Sequence, residues 1–372
     1  MTANRGQFVK TLAGTSAGLC VFGPPVSARL ALLIALCFGA ATTVAADPTD
    51  DFVRQQIKRQ RIPGVAIAVV RDGAVIKEAG YGVADLKTGT PVTPDTVFKI
   101  ASVSKQFMAA GIMLLVQDGR VRLDDPVSRH MPEVPGSWAG ITIRHLLSHT
   151  SGLPREAPGW APSSTSDAAD IRTAFSTPLR FAPGTKWEYS NLGYTVAGEI
   201  IVRVSGRPWP EFMTERVFRP AGMLATRTTT ITEAIPNRAA GYSDNDRLLE
   251  AQDWAAVRPG GGFLSTVRDL ARWDAVLYGD SILAEASRRE MWTAMALADG
   301  SSALYGLGWF IHRPGARRQV WHSGGMPGFK AQLHRYLDDR VTVIVLINLD
   351  DADDDTIASG IAELYLPDRG QR

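Results

Sequence analysis

A chain of 372 residues, 45% of them apolar, is long enough to bury a large core and has the composition of a globular protein, not of a disordered or membrane-embedded one. Its 40 Lys and Arg against 38 Asp and Glu leave a formal net charge of +2, and no basic block is present to track a phosphate backbone, so no nucleic-acid partner is expected. The balance points to small uncharged or weakly charged substrates and to one enzyme-sized unit of two lobes.

The N-terminal stretch reads as a targeting segment. Residues 30–41 are apolar, Arg29 precedes them and Val44-Ala45-Ala46 follows, which are the three parts of a signal peptide, with cleavage expected after Ala46. The run is about a dozen residues, short of the roughly 20 that span a bilayer, so no stable membrane anchor is expected and a retained anchor is the alternative. This signal lies behind a further stretch that includes a weaker apolar run at 12–22. Two explanations stay open: the true start lies further in, or Arg5-Gly6-Gln7-Phe8-Val9-Lys10 is a twin-arginine signal lacking one arginine. Both cysteines, Cys20 and Cys37, fall in this segment, each after a leucine, which argues against a lipid-anchoring cysteine. A mature chain then has no disulfide, no cysteine nucleophile and no thiolate metal site, as suits an exported, periplasmic or secreted protein.

Beyond residue 46, residues 51–61 read as a helix and 64–70 as a β-type run. Asp72-Gly73 joins that run to a second one at 74–83, the strongest short hairpin signal. Residues 103–117 are apolar nearly all round, like a helix buried inside a protein, and Gly119 is its stop. Helical patterns at 193–204, 210–218, 267–278 and 284–295 alternate with loops rich in Pro, Gly and Ser, with little strand signal between them. The final portion carries β-type runs at 307–312, 319–322, 329–336 and 341–348, joined by short turns that make antiparallel neighbours, and then a helix at 357–366. The expected fold is of the α/β class in its α+β form: an antiparallel sheet built from both termini, flanked by helices, with an inserted, mostly helical lobe. Residues 1–46 are the targeting segment and 47–372 a single catalytic domain, in which 47–100 and 300–372 form the sheet lobe and 101–299 the helical lobe. A cleft between the lobes is the natural site.

Three short stretches carry chemistry. Ser102 and Lys105 are three apart at the start of the apolar helix, so their side chains share a face. A serine hydroxyl needs a base to take its proton, and a lysine buried among apolar groups has its pKa lowered toward that task. The Ser102 N–H at the helix start is also placed to stabilise an oxyanion. Among eight lysines only Lys105 has a serine three residues before it. Next, Tyr189-Ser190-Asn191 leads into a helix: a tyrosine beside a lysine ammonium loses its proton more easily and acts as base and acid, while Asn191 binds a substrate carbonyl or holds Lys105. The third stretch, His322-Ser323-Gly324-Gly325, ends an expected strand. Its glycines let backbone approach a substrate, the Gly325 N–H is a second oxyanion donor, and His322 and Ser323 are candidates to bind a substrate carboxylate or the leaving group.

Taken in order, Ser102-x-x-Lys105, Tyr189-x-Asn191 and His322-Ser323-Gly324 resemble the three motifs of the penicillin-recognising serine hydrolases, in the class C β-lactamase-like branch. That branch includes class C β-lactamases, D-alanyl-D-alanine carboxypeptidases, D-amino-acid peptidases and carboxylesterases. The stretch from His145-Leu146-Leu147-Ser148 through His149-Thr150-Ser151-Gly152, with Gly261-Gly262-Phe263 and Tyr305-Gly306-Leu307-Gly308-Trp309, also looks like segments common there, and the resemblance spans about residues 50–366. It implies a β-lactamase/transpeptidase-like fold, no cofactor, and cleavage of an ester, amide or β-lactam through an acyl-Ser102 intermediate. Lys105 and Tyr189 would be the proton-transfer pair and Asn191 a substrate-positioning amide. Small esters, D-amino-acid peptides or β-lactams are the implied substrates. The family's third motif most often begins with lysine and here begins with His322, which binds a carboxylate when protonated and which many esterase-like members share, so efficient β-lactam hydrolysis does not follow.

Other readings compete. A non-catalytic receptor of the same fold would bind peptidoglycan fragments or β-lactams and stay acylated. His145 and His149, four apart, suggest a zinc helix, but no Glu follows His145 and the resemblance reads the stretch as a loop near the cleft. Gly14-Thr15-Ser16-Ala17-Gly18 fits a nucleophile elbow only by pattern, because no strand precedes it. The acidic run at 350–355 lacks the central glycine of a calcium loop and suits a helix N-terminus.

Overall fold

The computed structural model describes residues 47–161, 167–228, 234–243, 248–252, 258–312 and 317–367. Residues 1–46, where a targeting segment is expected, lie outside them. Asp47 caps the first helix, α1 (Pro48–Gln60), by accepting the Thr49 N–H at 2.9 Å, and Arg61 in the left-handed region ends it. Strands β1 (Gly64–Arg71) and β2 (Ala74–Asp85) follow. Asp72 at φ 54° and Gly73 at φ 78° make the two-residue hairpin that Asp-Gly favours. Next come β3 (Thr90–Pro91), β4 (Phe98–Lys99), a 3-10 turn at Ala101–Val103 and the buried helix α2 (Ser104–Gln117). Helix α2 ends where expected: Gly119 at φ 69° lets its own N–H reach the Val116 carbonyl and the Arg120 N–H reach that of Leu115.

The middle of the chain contributes α3 (Val127–His130), α4 (Ile143–Leu147), α5 (Asp167–Ala174), α6 (Asn191–Ser205) and α7 (Trp209–Met213), the last running into a π-helical turn at Thr214–Phe218. Short strands then appear that the sequence pattern does not announce: β5 (Arg227–Thr228), β6 (Tyr242–Ser243), β7 (Leu249–Glu250) and β8 (Phe263–Ser265). Strand β8 lies between β4 and β5 in a three-stranded sheet. Helices α8 (Val267–Val276) and α9 (Glu285–Met291) and the pair β9 (Met295–Ala296) and β10 (Ser302–Ala303) complete this portion. Helix α9 therefore stops four residues before the expected end at 295.

The C-terminal part returns to the main sheet with β11 (Phe310–Ile311), β12 (Gln319–Met326), β13 (Phe329–Tyr336) and β14 (Val341–Ile347), followed by α10 (Asp354–Tyr365). The order β11-β12-β13-β14-β1-β2-β3 is antiparallel throughout, and the last strand pairs with the first, Ala68 opposite Ile344. Alternate side chains take opposite faces. Val65, Ile67, Val343 and Val345 meet Val53 of α1 and Ile357 and Ile361 of α10, whereas Ala66, Ala68, Ile344 and Leu346 join the larger core around α2 and α8. Both faces being covered, β1 and β14 read as continuous apolar runs. The acidic run serves the last helix: Asp353 accepts the Thr356 N–H at 3.1 Å, and Asp354 and Asp355 occupy the first turn.

Two strand expectations need correction, and both bear on the cleft. Of 307–312 only Phe310 and Ile311 join the sheet, because Gly308 at φ 80° turns the chain against α2, where an added Cβ would lie 2.7 Å from the Lys105 carbonyl. Strand β12 runs past 322 to Met326, so the His-Ser-Gly-Gly stretch is inside a strand and not at its end. Gly324 explains why glycine is needed: a Cβ there would sit 2.2 Å from the Ile100 carbonyl, blocking the approach of β12 to the turn carrying Ser102.

Candidate active site

Ser102 sits in the 3-10 turn immediately before α2, half-buried, with its neighbour Ala101 at φ 44°. A left-handed residue with a Cβ costs about 1–2 kcal/mol, and such strain gathers at functional sites. The turn is pinned from three sides. The Ile100 N–H donates to Phe263 of β8 at 3.1 Å, the Ser104 hydroxyl accepts the Phe263 N–H at 3.3 Å, and Gly324 of β12 lies against Ile100.

Three residues on, Lys105 is fully buried. Its Nζ lies 2.7 Å from the Gly260 carbonyl, 2.8 Å from Asn191 Oδ1 and 3.2 Å from Ser102 Oγ. Burial lowers its pKa from the usual 10.5 to about 7, with the Glu156 carboxylate opposing and Arg155 assisting that shift. Carbonyl oxygens only accept, so two N–H bonds of the neutral amine satisfy Gly260 and Asn191. Its lone pair is left for the Ser102 hydroxyl.

Asn191 opens α6, capped by the Ser190 hydroxyl, which accepts the Gly193 N–H at 3.0 Å. Of the two tasks expected of it, the structure displays the holding of Lys105, while its Nδ2 donates to Glu156. The Tyr189 hydroxyl hydrogen-bonds Ser102, and its ring centroid lies 4.7 Å from Lys105 Nζ. Here the expected ease of proton loss is overturned. Burial raises the Tyr189 pKa well above 10, outweighing the Ser102 hydrogen bond and the charge of Arg155. Tyr189 is a neutral phenol, and the group with a basic lone pair near neutrality is Lys105.

The third stretch also departs from expectation in its side chains. His322 is 1% exposed; its Nδ1 lies 2.6 Å from the Ser323 carbonyl and its Nε2 2.9 Å from the Tyr305 hydroxyl. A carbonyl accepts only, so Nδ1 carries the proton and Nε2 accepts from Tyr305. Burial, with Lys105 nearby, lowers the His322 pKa to about 3, so the ring is neutral and has no nitrogen left for a substrate carboxylate. Ser323 directs its side chain to the opposite face of the sheet, into a groove with Trp321, Gln332 and His334. Its hydroxyl is therefore not on the Ser102 side.

The main chain of β12 does face the cleft. The Leu337 N–H donates to Arg318 at 2.8 Å, which sets the ladder so that 320, 322 and 324 bond to β13 and the intervening residues point outward. Strand β11 covers that outer edge only as far as the Phe310–Trp321 pair, leaving the N–H of Gly325 directed along an open edge. Gly325 and Met326 line the same cavity as Ser102, about 80 Å³ in volume, together with Glu156, Trp160, Thr195 and Arg258. Arg258 is ion-paired to Asp167 and Asp170, Glu156 lines the cavity as a carboxylate, and the Arg155 guanidinium beside it lies 5.3 Å from the Tyr189 ring centroid.

Glu156, Gly260 and Tyr305 were not singled out as site residues from sequence. Tyr305 falls in a recognised segment, but an isolated carboxylate in a loop and a backbone carbonyl carry no sequence signal. The two histidines set aside earlier separate here. His145 belongs to a capping box, its Nδ1 accepting the Thr142 N–H at 3.2 Å, while His149 lies beyond the end of α4. Among the described residues no group of three His, Cys, Asp or Glu side chains is arranged to hold a metal ion.

The chain is similar to known proteins over most of its length. A family model described as Beta-lactamase matches residues 49–366. Penicillin-binding protein 4* of Bacillus subtilis strain 168 is 33% identical over 315 residues, covering 78% of this chain and 69% of that protein. A D-aminopeptidase of Brucella anthropi is 28% identical over 311 residues, covering 80% of this chain and 58% of that one. Among solved structures, the octameric penicillin-binding protein homologue from Pyrococcus abyssi superposes with a TM-score of 0.75 at 27% identity, over 86% of this chain and 78% of that one. The D-amino acid amidase from Ochrobactrum anthropi SV3, complexed with L-phenylalanine amide, gives 0.72 at 27% identity, over 85% of this chain and 96% of that one.

Proposed function

Because the chain belongs to the beta-lactamase family and is a serine hydrolase acting on an ester, amide or β-lactam carbonyl, we propose that Ser102 is the acylated residue and that neutral Lys105 is its base. The carrying observation is the isolation of Lys105: a fully buried amine with two carbonyl acceptors and Ser102 Oγ around its nitrogen. Lys105 takes the hydroxyl proton as Ser102 Oγ bonds to the substrate carbonyl carbon. The oxyanion that forms rests between the N–H groups of Ser102 and Gly325. Tyr189, a neutral phenol bonded to Ser102, passes a proton to the leaving group and regains one from the Lys105 ammonium. Water then enters where the leaving group was, gives its proton back through the same pair, and releases the acid with Ser102 restored.

The substrate reading is narrower than the family. Glu156 offers the cavity a carboxylate, and His322 has no charge with which to hold a carboxylate, so the site favours an acyl group bearing an ammonium over a peptide ending in a free acid or a penicillin carboxylate. D-aminoacyl amides and esters combine that ammonium with the bond type, and the D-aminopeptidase and D-amino acid amidase relatives support the choice. The apolar run before Ala46 supports export to the periplasm or beyond.

A panel of D- and L-aminoacyl nitroanilides, short nitrophenyl esters, a chromogenic cephalosporin and D-alanyl-D-alanine peptides tests this, with wild type beside Ser102→Ala. D-aminoacyl substrates and esters should turn over in wild type alone. Preference for the cephalosporin or the D-alanyl-D-alanine peptide would overturn the substrate reading and leave the acyl-serine intact. A permanent cephalosporin adduct without turnover of any substrate would favour the receptor alternative.

A further inference from the structure

His149 takes no part in the proton path above, yet the chain around Tyr189 is built on it. Its carbonyl accepts the Glu188 N–H at 3.0 Å and its ring Nδ1 accepts the Ser190 N–H at 3.1 Å, so the backbone is held on both sides of Tyr189 by one residue. Its ring lies against the Tyr189 ring at a centroid distance of 4.2 Å and 34° between planes, and it also meets Tyr305 at 4.6 Å. To do this His149 adopts φ 62°, uncommon for a residue with a side chain, and is completely buried. Because Nδ1 accepts, the proton sits on Nε2, and that buried N–H has no hydrogen-bond partner among the described residues. A residue kept in a left-handed conformation with an orphaned polar atom is held there by what surrounds it.

We propose that His149 is a positioning residue: it fixes the direction of the Tyr189 phenol toward Ser102 by clamping the main chain on either side and stacking on the ring. The inference rests on the proton-transfer role of Tyr189 given above. Neutral imidazole suits the place, because a charged ring would repel the Lys105 ammonium formed during the reaction.

Two variants separate the contributions. His149→Phe keeps the stacked ring and loses the acceptor, whereas His149→Asn keeps a side-chain acceptor, tolerates the left-handed backbone and loses the ring. Each should lower kcat by about tenfold or more with KM nearly unchanged, as small misplacements of a catalytic group do. The deciding measurement is a double-mutant cycle in the Tyr189→Phe background. There the same substitutions should cost at most about twofold, because the group they orient is already gone. Equal losses in both backgrounds, or folded single variants with wild-type kcat, would overturn the proposal. If Tyr189→Phe alone left kcat unchanged, the role of Tyr189 would fall instead, so the two failures are told apart. Thermal unfolding of each variant identifies any that fails to fold, in which case the other carries the test.

Discussion

Lys105→Met converts the most consequential side chain of the site into an apolar one of similar length, and the change should be felt differently at different pH. Burial lowers the lysine pKa from 10.5 to about 7. At about 1.36 kcal/mol per unit, holding the charged form inside costs about 5 kcal/mol whenever the pH is well below 7. The sign follows from proton counting. Between pH 7 and 10.5 the unfolded chain binds the proton and the folded chain does not, so wild-type stability rises with pH across that window. At pH 9 the unfolded lysine still gains about 2 kcal/mol from protonation, so about 3 kcal/mol of the cost disappears between pH 5.5 and 9. Methionine carries no such term. It does orphan the Gly260 carbonyl and Asn191 Oδ1, at about 1–3 kcal/mol each, but that penalty is the same at both pH values. Urea unfolding followed by tryptophan fluorescence should therefore show the variant gaining on wild type by about 3 kcal/mol as the pH is lowered from 9 to 5.5. A stability difference that does not change with pH would mean that Lys105 keeps an ordinary pKa, and the base assignment would fail with it.

Three further outcomes follow from the same geometry. The kcat/KM for an activated ester should rise with pH through an apparent pKa near 7 and then level, because the neutral amine is the working form; a limb centred near 10 would contradict this. Tyr189→Phe should lower kcat by about 10²–10⁴-fold on amides with little change in KM, and less on esters with good leaving groups, which a steady-state comparison of the two substrate types will read. Gly324→Ala places a methyl 2.2 Å from the Ile100 carbonyl, so it should cost about 1–3 kcal/mol in thermal unfolding and reduce activity by shifting the Ser102 turn; unchanged activity would show that β12 does not set that turn.

Much of this architecture was legible because the relevant signals are local and strong. The Asp72-Gly73 hairpin and the Gly119 stop each rest on a residue whose conformational preference dominates its neighbourhood, and β1 and β14 are nearly continuous apolar runs. Strands of two or three residues, such as β4, β5 and β8, are too short to show a period, yet they pin the Ser102 turn. Ser-Gly-Gly reads as a turn until tertiary packing shows that Gly324 is inside a strand so that the backbone can approach Ile100. The motif residues Ser102, Lys105, Tyr189 and Asn191 do converge, but their protonation depends on burial, which sequence spacing does not report. That is why Tyr189 emerges as a phenol rather than a base, why His322 is spent on Tyr305 and the Ser323 carbonyl, and why Glu156 was not anticipated.

The proposed mechanism passes through one covalent bond, between Ser102 Oγ and the acyl carbon. Wild type mixed with a nitrophenyl acyl ester, quenched in acid within a turnover and digested for peptide mass mapping, should carry the acyl mass on the peptide containing Ser102, and Ser102→Ala should carry none and turn over nothing. Turnover without that mass, an acyl group mapped to another residue, or an active Ser102→Ala would contradict it.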